Sequence, residues 1–511
     1  MVYQVRAHRR QFVVGPEPFE AQTGWIHRQL DRTTWLSHCP ELRVSWATDS
    51  EGIQWVLLGL AVQTLEDAPE PVESVTRNIT GNIVKSYQSW AGRWVLIGNN
   101  QIHLDASGLL GCYHGKTGDG HTWVSSSPAL LSTILFPDTQ AEIDTRTLRY
   151  EVGLSWFTPP WSRYVGMKRL LPSQILELDS GTIQPRTLMP PIDFSLGFDQ
   201  VISLLLQNLS TAMRRLPPIN GGPWLGLTGG YDSRLMLAIA HHIHLPVRPY
   251  TRLTRRMSVA DRLLPPLLAQ DLGVDHSFVL VQKPLPSRKE LVATHCAGNV
   301  SDGDAAPFIC GARDSLEGLT FGGHGFALAS GFWRLRELPN QLTDPHSQSL
   351  QLARLFGERS TSSATVGLCQ WMEWALAAPQ ENLDWRDRFF IEQRQAGWLS
   401  SKEQMYDMED VERFPILNSA RTYALLLSLE EKQRIGSVAQ VEMIRRTAPE
   451  LLRHPFNPPD SYFGTVRAFT IRLRQDPLRP VRRLMHMRHK LLTLCLSMTD
   501  RYLQPRHFVR E

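Results

Sequence analysis

The chain has 511 residues, more than a single hydrophobic core of ordinary size accommodates, so two domains are expected. Hydrophobic residues at 42% and charged residues at 20% exclude extended disorder. A formal net charge of +4 is too mild for nucleic-acid binding by bulk charge, and no nucleic-acid partner is expected.

From the start to about Pro190, short apolar runs end in Gly, Asn or Asp. Arg93–Ile97, Ile102–Leu104 and Thr122–Val124 read as strands of a β-rich layered domain. Pro190 and Pro191 mark a linker, followed by an amphipathic helix from about Leu196 to Leu216. The rhythm then alternates. Trp224–Leu227 reads as a strand, Ser233–His241 as a helix and Pro246–Thr251 as a strand; a helix passes through Asp261 to Leu264, and His276–Val281 is another strand. Such alternation predicts a parallel sheet with helices on both faces and a ligand at the carboxyl ends of its strands.

From about Ser349 the apolar spacing is helical nearly throughout, with breaks at Pro379, Pro415, Pro449 and the Pro458–Pro459 pair. Trp371, Trp374, Trp385 and Trp398 read as helical core there. Between Arg467 and Lys490, the residues Arg472, Arg474, Arg479, Arg482, Arg483 and Arg488 face one acid, Asp476. That basic run is either a solvated helical face or a docking surface for an acidic peptide or phosphorylated partner. The cysteines Cys39, Cys112, Cys296, Cys310, Cys369 and Cys495 lack zinc or thioredoxin spacing, as expected of reduced thiols in a cytoplasmic protein. Met1–Arg6 has no apolar signal core and no stretch is long enough to span a bilayer, so no membrane partner is expected.

The segment Leu225–Leu235 carries the chemistry. An apolar strand runs into Gly229 and Gly230, then Asp232 and Ser233, then a helix-forming run to Ala240. Glycines let backbone N–H groups approach an anion, and the helix N-terminus adds partial positive charge. Asp232 repels a phosphate, so a magnesium ion between carboxylate and phosphates is the natural complement. A tight strand-to-helix turn is the plain alternative. The trio His241, His242 and His244 reads as a helix end, where His suits the dipole, rather than as a metal site.

Thr228–Ser233 resembles the pyrophosphate loop SGGxDS of the N-type ATP pyrophosphatases, with Thr228 in the first Ser position. It has neither the Lys of a Walker loop nor dinucleotide glycine spacing. Gly92 Arg93 Trp94, Asp105 to Leu110 and Ser125 to Ser127 are similar to a glutaminase-type domain. Phe321 Gly322 Gly323 His324 Gly325 resembles a glycine loop that closes over ATP, and Arg413 to Asn418 resembles the RVPFLD segment of a synthetase half. In that order, these signatures resemble the asparagine synthetase superfamily, which includes β-lactam synthetases and lasso-peptide cyclases.

The resemblance implies an α/β protein. Residues 1–190 would be an Ntn-hydrolase-like layered α+β domain, and residues 191–511 an N-type ATP pyrophosphatase (adenine nucleotide α-hydrolase-like) parallel-sheet domain with a helical C-terminal part. It implies ATP and Mg2+ as cofactors. Leu227 would lie near the adenine; Thr228, Gly229, Gly230, Tyr231 and Ser233 would form the pyrophosphate loop; Asp232 would hold the metal; Gly322 and Gly323 would lie against the nucleotide. The implied reaction is AMP-forming amide synthesis from a small-molecule or peptide carboxylate and an amine.

Departures from the pattern narrow the reading. Val2 stands where glutamine-dependent members have a catalytic cysteine, so glutamine hydrolysis is expected to be absent. Phe326, Ala327 and Leu328 stand where the family has an Asp-Glu pair; Asp302 and Asp304 are either replacement metal ligands or turn residues. Arg453 to Phe456 occupies the region of the family's catalytic Lys. Arg234 reads as a helix-surface residue or as a phosphate or carboxylate ligand, and Glu392 as a general base or an ion-pair partner. Ammonia-dependent amidation in glycan or small-molecule biosynthesis, and a non-catalytic nucleotide- or partner-binding protein, are the alternative functions.

Overall fold

The computed structural model describes residues 7–77, 83–137, 154–254, 257–281, 286–296, 316–330, 337–358 and 360–475. In the first part, strands β1 (Phe12–Gly15), β2 (Ile26–Gln29), β3 (Trp35–His38), β4 (Val44–Thr48), β5 (Gln54–Gln63) and β6 (Trp90–Gly98) come before β7 (Gln101–Leu104) and β8 (Tyr113–Lys116). They continue with β9 (Thr122–Ser125), β10 (Lys168–Arg169), β11 (Gln174–Glu177) and β12 (Ile183–Pro185). These make two antiparallel six-stranded sheets, ordered β10-β8-β9-β1-β3-β2 and β12-β11-β7-β6-β5-β4. Asn99 and Asn100 both take positive φ between β6 and β7, the left-handed pair a two-residue hairpin turn demands.

Alternation along the strands builds the layers. Phe12, Val14, Leu36 and Val124 of one sheet share a core with Val56, Leu58, Val95 and Ile97 of the other. On the outer face of the first sheet, Val13 and Trp123 pack with Leu130 and Leu131 of helix α3 (Pro128–Leu135). On the outer face of the second, Trp55, Leu57, Trp94 and Leu96 pack with Val75 of α1 (Pro71–Arg77) and with Ile83 and Tyr87 of α2 (Ile83–Tyr87). The layered α+β expectation for this part therefore holds.

After Pro191, α4 (Phe198–Arg214) buries the stripe Val201, Ile202, Leu205, Leu209, Ala212 and Met213. Then come β13 (Trp224–Gly226), α5 (Tyr231–His242), β14 (Arg248–Leu253), α6 (Val259–Asp271) and β15 (Ser277–Leu280). Strands β16 (Gly318–Phe321) and β17 (Val411–Phe414) complete a wholly parallel sheet ordered β15-β14-β13-β16-β17. Strand β17 is an exception within the C-terminal part, where helix was expected nearly throughout: the four residues Val-Glu-Arg-Phe are too few to display a period, yet Val411 and Phe414 are buried. The tryptophan expectation holds, with Trp371 and Trp385 buried in one cluster and Trp374 and Trp398 packed against it. Among the described residues no helix is long and apolar enough to cross a membrane.

The seam between the two parts is polar and buried. Arg93 donates to both carboxylate oxygens of Asp407, at 2.6 and 2.7 Å, and through Nε to the Leu109 carbonyl. Asn418 Nδ2 donates to the Gly92 carbonyl and to Asp105 Oδ1, both at 2.7 Å. The Pro190–Pro191 linker is anchored as well, because Leu188, Met189 and Ile192 are buried with Phe390 and Tyr423. Removing one member of a buried pair leaves a charge without compensation. Arg93→Met should lower stability by about 3–5 kcal/mol in urea unfolding, and adding Asp407→Leu should recover much of that loss.

Candidate functional site

From β13 the chain steps to β14 and β15 on one side, whereas β16 and β17 lie on the other. The crevice at the carboxyl ends of β13 and β16 is therefore the topological switch point, the place where open parallel sheets receive ligands. Both glycine-rich segments emerge there: Thr228–Gly230 just beyond β13 and Gly322–Gly325 after β16. They meet directly. A Cβ added at Gly323 would lie 2.5 Å from Asp232 Cβ and 2.7 Å from its carbonyl oxygen, so glycine is needed for the second loop to rest on the first. Gly322 is buried beside it.

Within the first loop the amides already have partners. Thr228 N–H donates to Ser233 Oγ at 3.0 Å, Gly229 N–H to Asp261 Oδ1 at 2.9 Å and Gly230 N–H to Thr228 Oγ1 at 3.3 Å. Asp261 stands in the first turn of α6, where its own N–H donates to the Ser258 cap. This corrects the expectation that Thr228, Gly229, Gly230 and Ser233 all present free donors. What remains open is the start of α5, since its N-cap Gly230 brings no side-chain acceptor to the first-turn amides. Leu227 also differs from expectation: its side chain is 1% exposed in the main core, which leaves no surface for an adenine.

Tyr231 stacks on Phe456, with ring centroids 4.1 Å apart and planes 8° from parallel. On Phe456 also lies the guanidinium of Arg234, 3.9 Å from the ring centroid. Arg234 is neither a helix-surface residue nor a phosphate ligand. It is fully buried and donates to four carbonyls, those of Leu451, His454, Pro455 and Gly229. Asn457 N–H donates to the Gly229 carbonyl as well, at 3.1 Å. Segment 451–457, which includes the Arg453–Phe456 region of the family's catalytic Lys, is thus clamped beside the loop by the Arg234 side chain and the Asn457–Gly229 main-chain bond, and supplies an aromatic wall.

Asp232 is mostly buried, and among the described residues its one hydrogen-bond donor from a side chain is Gln440 Nε2, 3.4 Å from Oδ1. Burial pushes its pKa up to about 6, with the Gln440 contact pulling weakly the other way. Gln440 lies on the Val438–Thr447 helix, three and four residues before the buried Met443 and Ile444. A polar residue on that core-facing stripe was the available signal, and the sequence reading missed it.

Glu392 stands apart from this crevice. It is fully buried and accepts from Arg388 Nε at 2.9 Å and Trp371 Nε1 at 2.8 Å, so it is an ion-pair partner and not a general base. The His reading holds, since α5 ends at His242 and His244 takes positive φ; His241 faces Glu450 at 4.0 Å. Among the described residues no group of three His, Cys, Asp or Glu can hold a metal ion. Val2, Asp302, Asp304 and the arginines from Arg479 onward lie outside the described residues. A cavity of 630 Å³ lined by Trp224, His241 and Arg248 sits at the amino end of the strands, away from both loops.

No known family profile matches the chain, and no curated protein matches it. A solved structure of the allosteric regulatory enzyme of purine biosynthesis aligns with 55% of this chain and 77% of its own, at 8% identity and a TM-score of 0.23. That likeness is too slight to carry an argument about fold or activity.

Two measurements follow from the site. Arg234→Met keeps the bulk but strands four carbonyls, and should cost at least about 3 kcal/mol in urea unfolding. Because the folded pKa of Asp232 exceeds its unfolded value of 3.8, the folded chain holds a proton that the unfolded chain has released between 3.8 and about 6. Its contribution to stability therefore falls as pH rises through that window. The drop in urea midpoint across it should be smaller in Asp232→Asn than in the unsubstituted protein.

Proposed function

We propose that this protein is an ATP-dependent, AMP-forming amide synthetase that works without glutamine hydrolysis. The observation that carries the reading is the convergence of two glycine loops on Asp232 at the switch point of a parallel sheet. The residues fit both ATP and Mg2+. The uncapped start of the 12-residue helix α5 offers amides and a favourable dipole to phosphate oxygens. Asp232 offers one carboxylate to magnesium, which commonly takes one or two protein carboxylates and completes its shell with phosphates and water.

Bound ATP would supply an adenylyl group to the substrate carboxylate with loss of pyrophosphate, after which an amine displaces AMP. The protein's part is electrostatic: fixed dipoles at the α5 start stabilise charge gathering on the leaving pyrophosphate. Tyr231 and Phe456 wall the crevice with stacked rings, and Arg234 keeps that wall in place. In this reading the layered part is a degenerate Ntn-type glutaminase unit that serves as a platform. Arg93, Asp105 and Ser107 of its signatures are consumed in bonds to Asp407, Asn418 and Gln395. The acyl acceptor is the substrate's own amine, as in a peptide macrolactam or a small lactam, or external ammonia.

One observation favours a second reading, a non-catalytic nucleotide- or partner-binding protein: the Thr228, Gly229 and Gly230 amides are engaged by internal acceptors, one of them the Asp261 carboxylate. ATP–pyrophosphate exchange separates the two. A panel of carboxylates, including peptides, should contain one that supports exchange, and Asp232→Ala should lower that rate by about 100-fold or more. No glutamate should be released from glutamine. Nucleotide binding without exchange for any carboxylate would decide for the second reading.

A further inference from the structure

The 630 Å³ cavity at the amino end of the parallel sheet takes no part in the reading above. Trp224, Arg248 and Asp275 line it, one from each of three neighbouring strand entries. Trp224 is the register partner of Arg248, and the Tyr250–Ser277 pairing, continued two residues back, sets Asp275 beside Arg248 at a strand spacing of about 4.8 Å. Arg248 is held in place. Its Nε donates to the Gly222 carbonyl at 2.9 Å, and its guanidinium lies over the Trp224 ring, 4.1 Å from the centroid. Trp224 is fixed in turn, with Nε1 donating to the Glu317 carbonyl at 3.1 Å. Gly222 has φ +79°, and a Cβ there would collide with the Pro246 carbonyl, so the turn that presents its own carbonyl to Arg248 requires glycine. The terminal guanidinium nitrogens have no partner among the described residues, and burial pulls the Arg248 pKa down with no carboxylate opposing it. Asp275 is exposed and likewise pairs with no cation among the described residues.

We propose that this cavity binds a free amino acid with a large apolar side chain, its carboxylate on Arg248 and its ammonium on Asp275. The site lies away from both glycine loops and does not depend on the ligase reading. Helices α5 and α6 end against the cavity, but their last turns are already capped: Leu245 N–H donates to the Ala240 carbonyl at 2.9 Å and Val274 N–H to the Ala269 carbonyl at 3.0 Å. One guanidinium and one carboxylate are therefore the unanswered fixed charges. A guanidinium with its Nε engaged still offers a planar pair of terminal donors that suits a carboxylate. A phosphate would bring a second negative charge toward Asp275, a simple carboxylic acid would leave Asp275 facing an anion, and a simple amine would leave Arg248 unanswered. An α-amino acid carries both charges on one carbon, which matches two side chains on adjacent strands. Leu237, Leu245, Val247 and Leu272 supply the apolar wall for its side chain. Small-molecule pockets run from about 300 to 1,000 Å³, so the volume admits an aromatic or branched residue.

Isothermal titration calorimetry of the full chain with L-phenylalanine and L-leucine tests this. At least one should bind. Glycine, 3-phenylpropionate and phenethylamine, which lack the side chain, the ammonium and the carboxylate in turn, should each bind about 10-fold more weakly or worse. Arg248→Met and Asp275→Asn should each weaken the amino acid by about 10-fold or more. Asp275→Asn keeps the size of an exposed side chain, so its result stands even if Arg248→Met lowers stability. Asp232→Ala should leave the affinity unchanged. No binding of either amino acid overturns the proposal, as does 3-phenylpropionate binding as tightly as phenylalanine or unchanged affinity in Asp275→Asn. Loss of binding in Asp232→Ala with none in Arg248→Met overturns it too, by placing the amino acid in the crevice. Absence of ATP–pyrophosphate exchange would sink the ligase reading alone and leave this site standing.

Discussion

A carboxylate held largely out of water, with one distant amide as its side-chain donor among the described residues, is the constraint around which this site is arranged. Burial favours its neutral form, and the protein supplies no Arg or Lys partner to Asp232 among the described residues. Compare Asp407 and Glu403, each buried and each answered by a close guanidinium, from Arg93 and Arg413. Glu392, by contrast, is buried with one oxygen paired to Arg388 and Trp371 and the other unpaired, so an under-satisfied acid is not confined to the crevice.

The same logic explains the arginines. Arg93, Arg234 and Arg413 all sit close to the sequence signatures that drew attention to phosphate or carboxylate chemistry. None is left free to perform it. Arg93 joins the layered part to the parallel-sheet part, Arg234 gathers four carbonyls of segment 451–457 and the loop, and Arg413 is locked on Glu403. Their planar, multi-donor groups suit buried carbonyls and carboxylates better than a single point charge would. The result is a rigid frame whose positive charge is spent internally, so that attraction for an anion falls to backbone dipoles.

Much of this was legible from residue order. Short apolar runs closed by Gly, Asn or Asp disclosed strands of the layered part, the change to strand–helix alternation disclosed the parallel sheet, and the glycine pair beyond Trp224–Gly226 disclosed the strand-to-helix bend. Each is a local property: a pattern of burial or a backbone conformation that a few consecutive residues impose on themselves. The edge strand Val411–Phe414 escaped because four residues cannot show a period, and its pairing with Gly318–Phe321 is set by chain ninety residues away. Arg234 was misjudged for a related reason, since a helix does not announce which of its faces another segment will cover.

The sequence by itself determined the strand–helix alternation around the loop and the loop's place, because those follow from side-chain periodicity and from glycine. Only the tertiary structure decided what surrounds the loop from Thr228 to Arg234. Gly323, Gln440, Asp261 and Phe456 come from four separate segments, and nothing in their neighbours predicts that they converge. Their meeting is a product of strand order, with β16 inserted beside β13 rather than beyond β15, and of the carbonyl contacts that tie segment 451–457 to Arg234. Packing between distant segments, not local preference, makes the crevice and leaves its acid short of a partner.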